Sequence, residues 1–139
     1  MPASELFAGY WSTTLEESEV ITDVLIPVAR PRQGWSFHEM VRRTSDFAIV
    51  AVAVTVDLAE RTGAIAAARI ALAGVADRVV LADPDLVGNS AEETADRIAQ
   101  TLEPASDVHA SGDYRRRTAR VLTARALRQA FARATGEIT

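Results

Sequence analysis

The sequence predicts an α+β fold, a three- to four-stranded antiparallel sheet packed against a layer of helices. Three observations carry that expectation. Strand-like stretches fill the chain up to Leu81, helix-like stretches follow from Ser90, and a glycine-bearing turn of hairpin length separates the two longest central strands. A block of strands followed by a block of helices favours one sheet covered by helices over alternating βαβ units.

The chain has 139 residues, enough for one domain that buries about two-thirds of its unfolded surface. The net charge of −4 speaks against a general nucleic-acid or anionic-membrane binder. There is no cysteine, which excludes a disulfide, a Cys-ligated iron–sulfur cluster, a zinc ribbon and a thiol nucleophile within these residues. Two histidines make a His-rich metal site unexpected, and no metal ligand is assigned. No lysine occurs, so a P-loop and Schiff-base chemistry are both excluded. The first residues lack the basic-then-apolar pattern of a signal peptide, and no run approaches the roughly 20 apolar residues of a membrane span. A cytoplasmic domain without membrane contact is expected.

Along the chain, residues 4–17 place Leu6, Phe7, Tyr10, Trp11 and Leu15 at spacings of a short helix, weakened by Gly9 and the Ser12–Thr14 run. These aromatics either pack in the core or form an interface with another domain. Glu19 to Pro27 alternates as a strand that Pro27 ends. VARPRQG, residues 28–34, reads as a linker and the best boundary in the chain. Trp35 to Arg42 is the next strand, with Phe37, Glu39 and Val41 on one face and Ser36, His38, Met40 and Arg42 on the other. Ala48 to Asp57 is the most buried strand. Val50, Val52, Val54 and Val56 form one face, and a slimmer face of Ile49, Ala51, Ala53 and Thr55 implies cover on both sides or a close neighbour. Ile65 to Ala73 is a further strand between Gly63 and Gly74, followed by a short extended piece ending at Leu81. Asp83–Pro84 opens a helical turn. Ser90 to Glu93 has the capping-box form that starts a helix running to about Leu102, which Pro104 prevents from continuing. The last helix runs from about Asp113 to Ala134.

Three constellations invite chemistry. The last helix carries Arg115, Arg116, Arg117, Arg120, Arg125, Arg128 and Arg133, which are expected to pair with neighbouring carboxylates or to face an acidic partner, not nucleic acid. His109 beside Asp107 is expected to stabilise a turn. His38, Glu39, Arg42, Arg43 and Asp46 gather at a strand end; Asp46 with Arg43 is expected to tie the crossover, and His38 with Arg42 to face a ligand. No GxSxG elbow supports a hydrolase triad, and no catalytic residue is assigned.

The segments FHEMVRRTSDFAIVAVAVTV, ARIALAGVADRVV, the LVG turn and DVHASGDYRRRTARVLTARAL resemble the C-terminal domain of the FAD-binding (medium) subunit of molybdenum hydroxylases, the carbon monoxide dehydrogenase and xanthine dehydrogenase family. ELFAGYWSTTLEESEVITDVLIP resembles the end of that family's FAD-binding region. The RRxxDFA and YRR stretches are the most telling. The resemblance implies a division into residues 1–27, the tail of the FAD-binding region, and 34–139, the C-terminal α+β domain. It implies a part in enclosing FAD for electron transfer from iron–sulfur clusters to an acceptor, with a molybdenum-binding large subunit and an iron–sulfur small subunit as partners; a homo-oligomer stays open. The alternative is a stand-alone interaction module that keeps the fold without flavin. His38 and Arg42, the pair read from the strand face, are the expected cofactor-binding residues, and by resemblance His38 stands at or beside a flavin-contacting position that is often Lys in the family. Val79–Val80–Leu81 stand where the family usually has an Arg. The family's glycine-rich pyrophosphate segments match nothing in these residues, so this chain alone is expected to bind FAD weakly or not at all.

Overall fold

A computed structural model describes residues 1–138, with the backbone alone at Leu86. Its centre is a four-stranded antiparallel sheet in the order β3 (Gln33–Met40), β4 (Val50–Leu58), β5 (Ile65–Ala73) and β6 (Val80–Leu81). Two helices, α2 (Ala91–Thr101) and α3 (Gly112–Thr135), cover one face. The predicted α+β class is thus the observed one.

The register explains the core. Val50, Val52, Val54 and Val56 alternate along β4 and are essentially inaccessible, joined by Ile70 and Leu72 of β5. Each such side chain contributes about 1.5–3 kcal/mol by leaving water. They meet Ile98 and Leu102 from the α2 end and Leu122, Ala126 and Leu127 of α3. The slimmer face of β4 was expected to be covered as well. It is only partly covered: Ile49 is buried and Ala51 and Thr55 are half-buried, but Ala53 is exposed, as are Trp35 and Phe37 beside it on β3.

Strand limits move by two residues at the β3–β4 connection. Here Ile49 N–H donates to the Met40 carbonyl, and residues 41–49 become the turn, with Ser45 at φ 67°. The expected Arg43–Asp46 side-chain bond is absent among the described residues. Asp46 N–H instead donates to the Arg43 carbonyl, and the Asp46 carboxylate accepts from Phe47 N–H. A short turn satisfies that carboxylate locally without ordering a long guanidinium side chain.

Two further expectations change. Residues 4–17 form a single helical turn, α1 (Ala3–Leu6), and a small hairpin of β1 (Phe7–Gly9) and β2 (Ser12–Thr13). Glu19 to Pro27 forms no strand. Its alternation is intact, but a strand needs a neighbour to complete its ladder, and the described residues offer it none.

Local signals fixed the helix starts. Ser90 Oγ accepts from Glu93 N–H as the capping box requires, while the Glu93 carboxylate accepts from Asn89 N–H, one residue before the cap. Ser111 caps α3, which ends at Gly136 in the left-handed region (φ 80°). α3 approaches β3 so closely that a Cβ on Gly34 would lie 1.8 Å from the Ala130 carbonyl oxygen. Ser36 beside it donates to the Ala126 carbonyl at 2.7 Å.

One buried cation joins the layers. Arg115, 8 % exposed, donates to the Ile49 carbonyl at 2.6 Å, the Gly74 carbonyl at 3.0 Å and the Asp107 carboxylate at 2.6 Å. Gly74 permits the convergence: its φ is 78°, and a Cβ there would lie 2.2 Å from the Ile49 oxygen. The Arg115 guanidinium, with the backbone N–H groups of Ala110 and His109, holds the Asp107 carboxyl well below the usual aspartate range.

Gly34→Ala should therefore cost about 3 kcal/mol in denaturant unfolding, because backbone must move to admit the methyl. Gly136→Ala meets open space and should cost about 1 kcal/mol, from its left-handed backbone alone. Because folding depresses the Asp107 pKa, its contribution is complete above the unfolded value of about 3.9 and is lost as pH falls below it. Thermal midpoints should drop more steeply below about pH 4 in the parent than in Asp107→Asn; parallel pH profiles would refute that linkage.

Candidate functional site

Between the N-terminal hairpin and the sheet end lies a groove of about 800 Å³. Its walls come from four places: the β1–β2 turn, the β3–β4 turn, the β5–β6 turn and the connector before α3. Arg115 lies in its lining, so the bonds that join sheet to helix also shape the groove. β1 is held against the β5–β6 turn, where a Cβ on Gly9 would be 3.4 Å from the Asp77 carboxylate. Thr14 fixes the other side of the hairpin through bonds to the Leu6 and Glu5 carbonyls.

The sequence left open whether the N-terminal aromatics are core or interface, and the structure decides against core. Trp11 is 91 % exposed and Tyr10 70 %. The two form the tight turn between Gly9 and Ser12, and Trp11 takes a φ of 55°. A bulky residue in the left-handed region costs on the order of 1–3 kcal/mol, the kind of strain found where side chains are held for use. Its ring meets Phe47 edge-on, centroids 5.8 Å apart. Phe47 is itself 81 % exposed. Two large aromatic rings thus stand at the groove in water, linking the hairpin to the β3–β4 turn.

Charge in the groove is mixed. Arg42 and Arg78 line it with His109, against Asp46, Asp77 and Asp107. Arg42 is exposed and has no ion-pair partner among the described residues. Asp107 accepts from the backbone N–H groups of His109 and Ala110, so the pair stabilises a turn as expected, through main chain instead of imidazole.

The structure separates the two residues that the sequence placed together. Arg42 lines the groove. His38 does not: it sits opposite Val52, on the sheet face that Ser36 presents to α3, and its Nε2 is buried without a hydrogen-bond partner among the described residues. Phe47, Trp11 and Arg78 are groove residues that the strand-face argument missed. The aromatic density of the first 11 residues was a usable signal for Trp11. Nothing local marked Arg78, because the β5–β6 turn brings it in.

Four of the seven α3 arginines, Arg115, Arg116, Arg120 and Arg128, pair with carboxylates as expected, while Arg117 and Arg125 are exposed without an ion-pair partner among the described residues. Arg128 pairs with Glu92 and Arg120 with Asp96 across the helix pair, and Arg116 bonds the Leu102 carbonyl and Asp113. The Arg120 hydrogen bond keeps the Asp96 carboxyl below its ordinary value. Arg133 lies 4.4 Å from the Trp35 ring centre and donates to the Trp35 carbonyl.

The chain is similar along nearly its whole length to chains from known enzymes. It is 34 % identical to the nicotine 6-hydroxylase medium subunit of Paenarthrobacter nicotinovorans, covering 94 % of this chain and 48 % of that one. It is 30 % identical to the carbon monoxide dehydrogenase medium chain of Hydrogenophaga pseudoflava, covering 96 % and 48 %. The chain thus spans about half the length of these relatives. Among solved structures, carbon monoxide dehydrogenase from H. pseudoflava superposes with a TM-score of 0.85 at 30 % identity, over 95 % of this chain and 48 % of that one. Quinoline 2-oxidoreductase from Pseudomonas putida 86 does so with 0.81 at 33 %, over 94 % and 47 %. Residues 35–130 match the CO dehydrogenase flavoprotein C-terminal domain, and the chain belongs to that family.

Proposed function

We propose that this chain serves as the C-terminal part of the flavoprotein (medium) subunit of a molybdenum-containing hydroxylase, with the groove turned toward FAD. The observation that carries this reading is the alignment of nearly the whole chain with medium subunits, its family match lying in the flavoprotein C-terminal domain. Residues 1–27 are then the tail of the FAD-binding region and 34–139 the C-terminal domain, in a cytoplasmic complex with a molybdenum-binding large subunit and an iron–sulfur small subunit. That every one of the matched curated relatives is a subunit or chain of a hydroxylase or dehydrogenase weighs against a stand-alone module.

The groove's chemistry fits one end of FAD. Exposed Trp11 and Phe47 offer flat apolar surface, and Arg42 offers an unpaired cation for the polar edge of a ring. Asp46, Asp77 and Asp107 offset Arg42, Arg78 and Arg115, which leaves the groove without the net positive charge that would hold a pyrophosphate, so the ring end suits it better. FAD, when bound, supplies the redox chemistry between the iron–sulfur clusters and the acceptor. The chain's own residues orient the ring and exclude water around it.

In the assembled complex, Arg42→Ala should lower FAD retention about tenfold, the loss of one charge-assisted hydrogen bond. Trp11→Ala should lower it as well while leaving thermal stability unchanged. His38→Ala separates the sequence-predicted pair: a loss equal to that of Arg42→Ala places His38 in the flavin site, and an effect on stability alone places it in the sheet–helix layer. Full FAD retention by both Arg42→Ala and Trp11→Ala would refute the groove as the flavin-facing surface.

A further inference from the structure

We propose that the cavity between α1 and the β5–β6 end of the sheet binds a hydrophobic monocarboxylate, an aromatic acid of one or two rings, with Arg78 as the clamp for its carboxylate. The site adjoins the groove assigned to the flavin ring but is separate from it, so the proposal goes beyond that reading.

The cavity measures about 530 Å³ and opens on the sheet face that α2 and α3 leave bare. Its floor is Ala71 of β5, whose small side chain leaves room, with Leu81 of β6 beside it across the ladder. Val79 adds to the sheet side, while Ser4 of α1 and Phe7 of β1 line it from the other part of the chain. Phe7, Val79 and Leu81 are 45, 48 and 60 % exposed, so contiguous apolar surface stands in water here, the mark of an interaction site. Both sides are held before any ligand arrives. Thr14 ties α1 and β1 together through the Glu5 and Leu6 carbonyls, and Ala82 N–H donates to the Ile70 carbonyl at 2.9 Å just beyond β6.

Charge decides the class of ligand. Arg78 is the one charged residue in the lining, and it has no ion-pair partner among the described residues. A lone guanidinium beside apolar walls favours an anion whose remaining bulk is apolar. A pyrophosphate or a dicarboxylate carries more charge than one cation balances, and the lining supplies no second. A neutral ring fills the apolar volume but gains nothing from the guanidinium. A carboxylate takes two parallel N–H bonds from it, and the Ser4 hydroxyl can donate a third. Phe7 offers the acid's ring an aromatic neighbour. The neighbouring groove sets the contrast. It shares Phe7, Arg78 and Val79 with this cavity, but there aspartates offset the arginines. Only on the cavity side does the cation stand alone.

Titration of the 139-residue chain with naphthoate, followed by amide NMR shifts, tests the proposal. Binding should be sub-millimolar, on the order of 100 µM, with the largest shifts at Phe7, Ala71, Val79 and Leu81. Naphthamide, the same ring without the charge, should bind about tenfold more weakly. Arg78→Gln should erase that preference and Arg78→Lys should keep part of it. Ala71→Leu fills the floor with the cation in place and should weaken both probes. Thermal midpoints of the three variants should stay near the parent's, so that lost binding reports on the site and not on the fold. Equal affinity for acid and amide, an unchanged preference in Arg78→Gln, shifts centred on Arg42 and Phe47, or no binding at millimolar probe would each overturn the proposal. None of these readouts involves flavin, so they stand apart from the FAD-retention measurements.

Discussion

The bonds of Arg115 are the constraint on which the rest depends. Its guanidinium is taken out of water at the start of α3 and is tolerated because three acceptors surround it: two carbonyls at the ends of neighbouring strands and one carboxylate from the connector. A buried cation without such acceptors would cost several kcal/mol. With them it becomes a joint, since each acceptor comes from a different part of the chain. The joint fixes where α3 begins, how the connector turns at Asp107, and how closely the β4 and β5 ends approach at Ile49 and Gly74. Those same positions line the groove, so the candidate site inherits its rigidity from a stabilising contact.

A seven-arginine helix in a domain of net charge −4 invites a search for an anionic partner. The structure accounts for most of it internally. Asp96 and Glu92 of α2 take Arg120 and Arg128, Arg115 is buried, and Arg133 serves β3. The exposed pairs add little stability singly. Their larger effect is on partner choice: carboxylates on α2 neutralise cations on α3, which removes the concentrated positive field that nucleic acid would need.

What could be read from the sequence divides along a physical line. Elements whose cause is local were legible: the valine alternation of β4, the Ser90 cap, the Gly63 and Gly74 brackets around β5, and the fold class that their order implies. Features whose cause is another part of the chain were not. Asp46 looked like a guanidinium acceptor until the turn supplied it with a backbone donor. His38 and Arg42 share strand parity, but β3 stops at Met40, so the turn carries Arg42 to the groove while His38 stays over the helix layer. Parity predicts a shared face only as far as the strand continues. Trp11 and Phe47 are 36 positions apart, and only the fold brings their rings together.

The strand that fails to form is the most informative of these departures. Residues 33–138 bury their own core, as the inaccessible valines of β4 show. Residues 7–28 carry comparably apolar sequence and leave much of it in water. Hydropathy cannot distinguish these two stretches, because burial depends on having a complementary neighbour. The groove lies where the two regimes meet, walled by the self-sufficient sheet on one side and by the hairpin of the exposed segment on the other. A site at such a seam closes fully only when the exposed side is held.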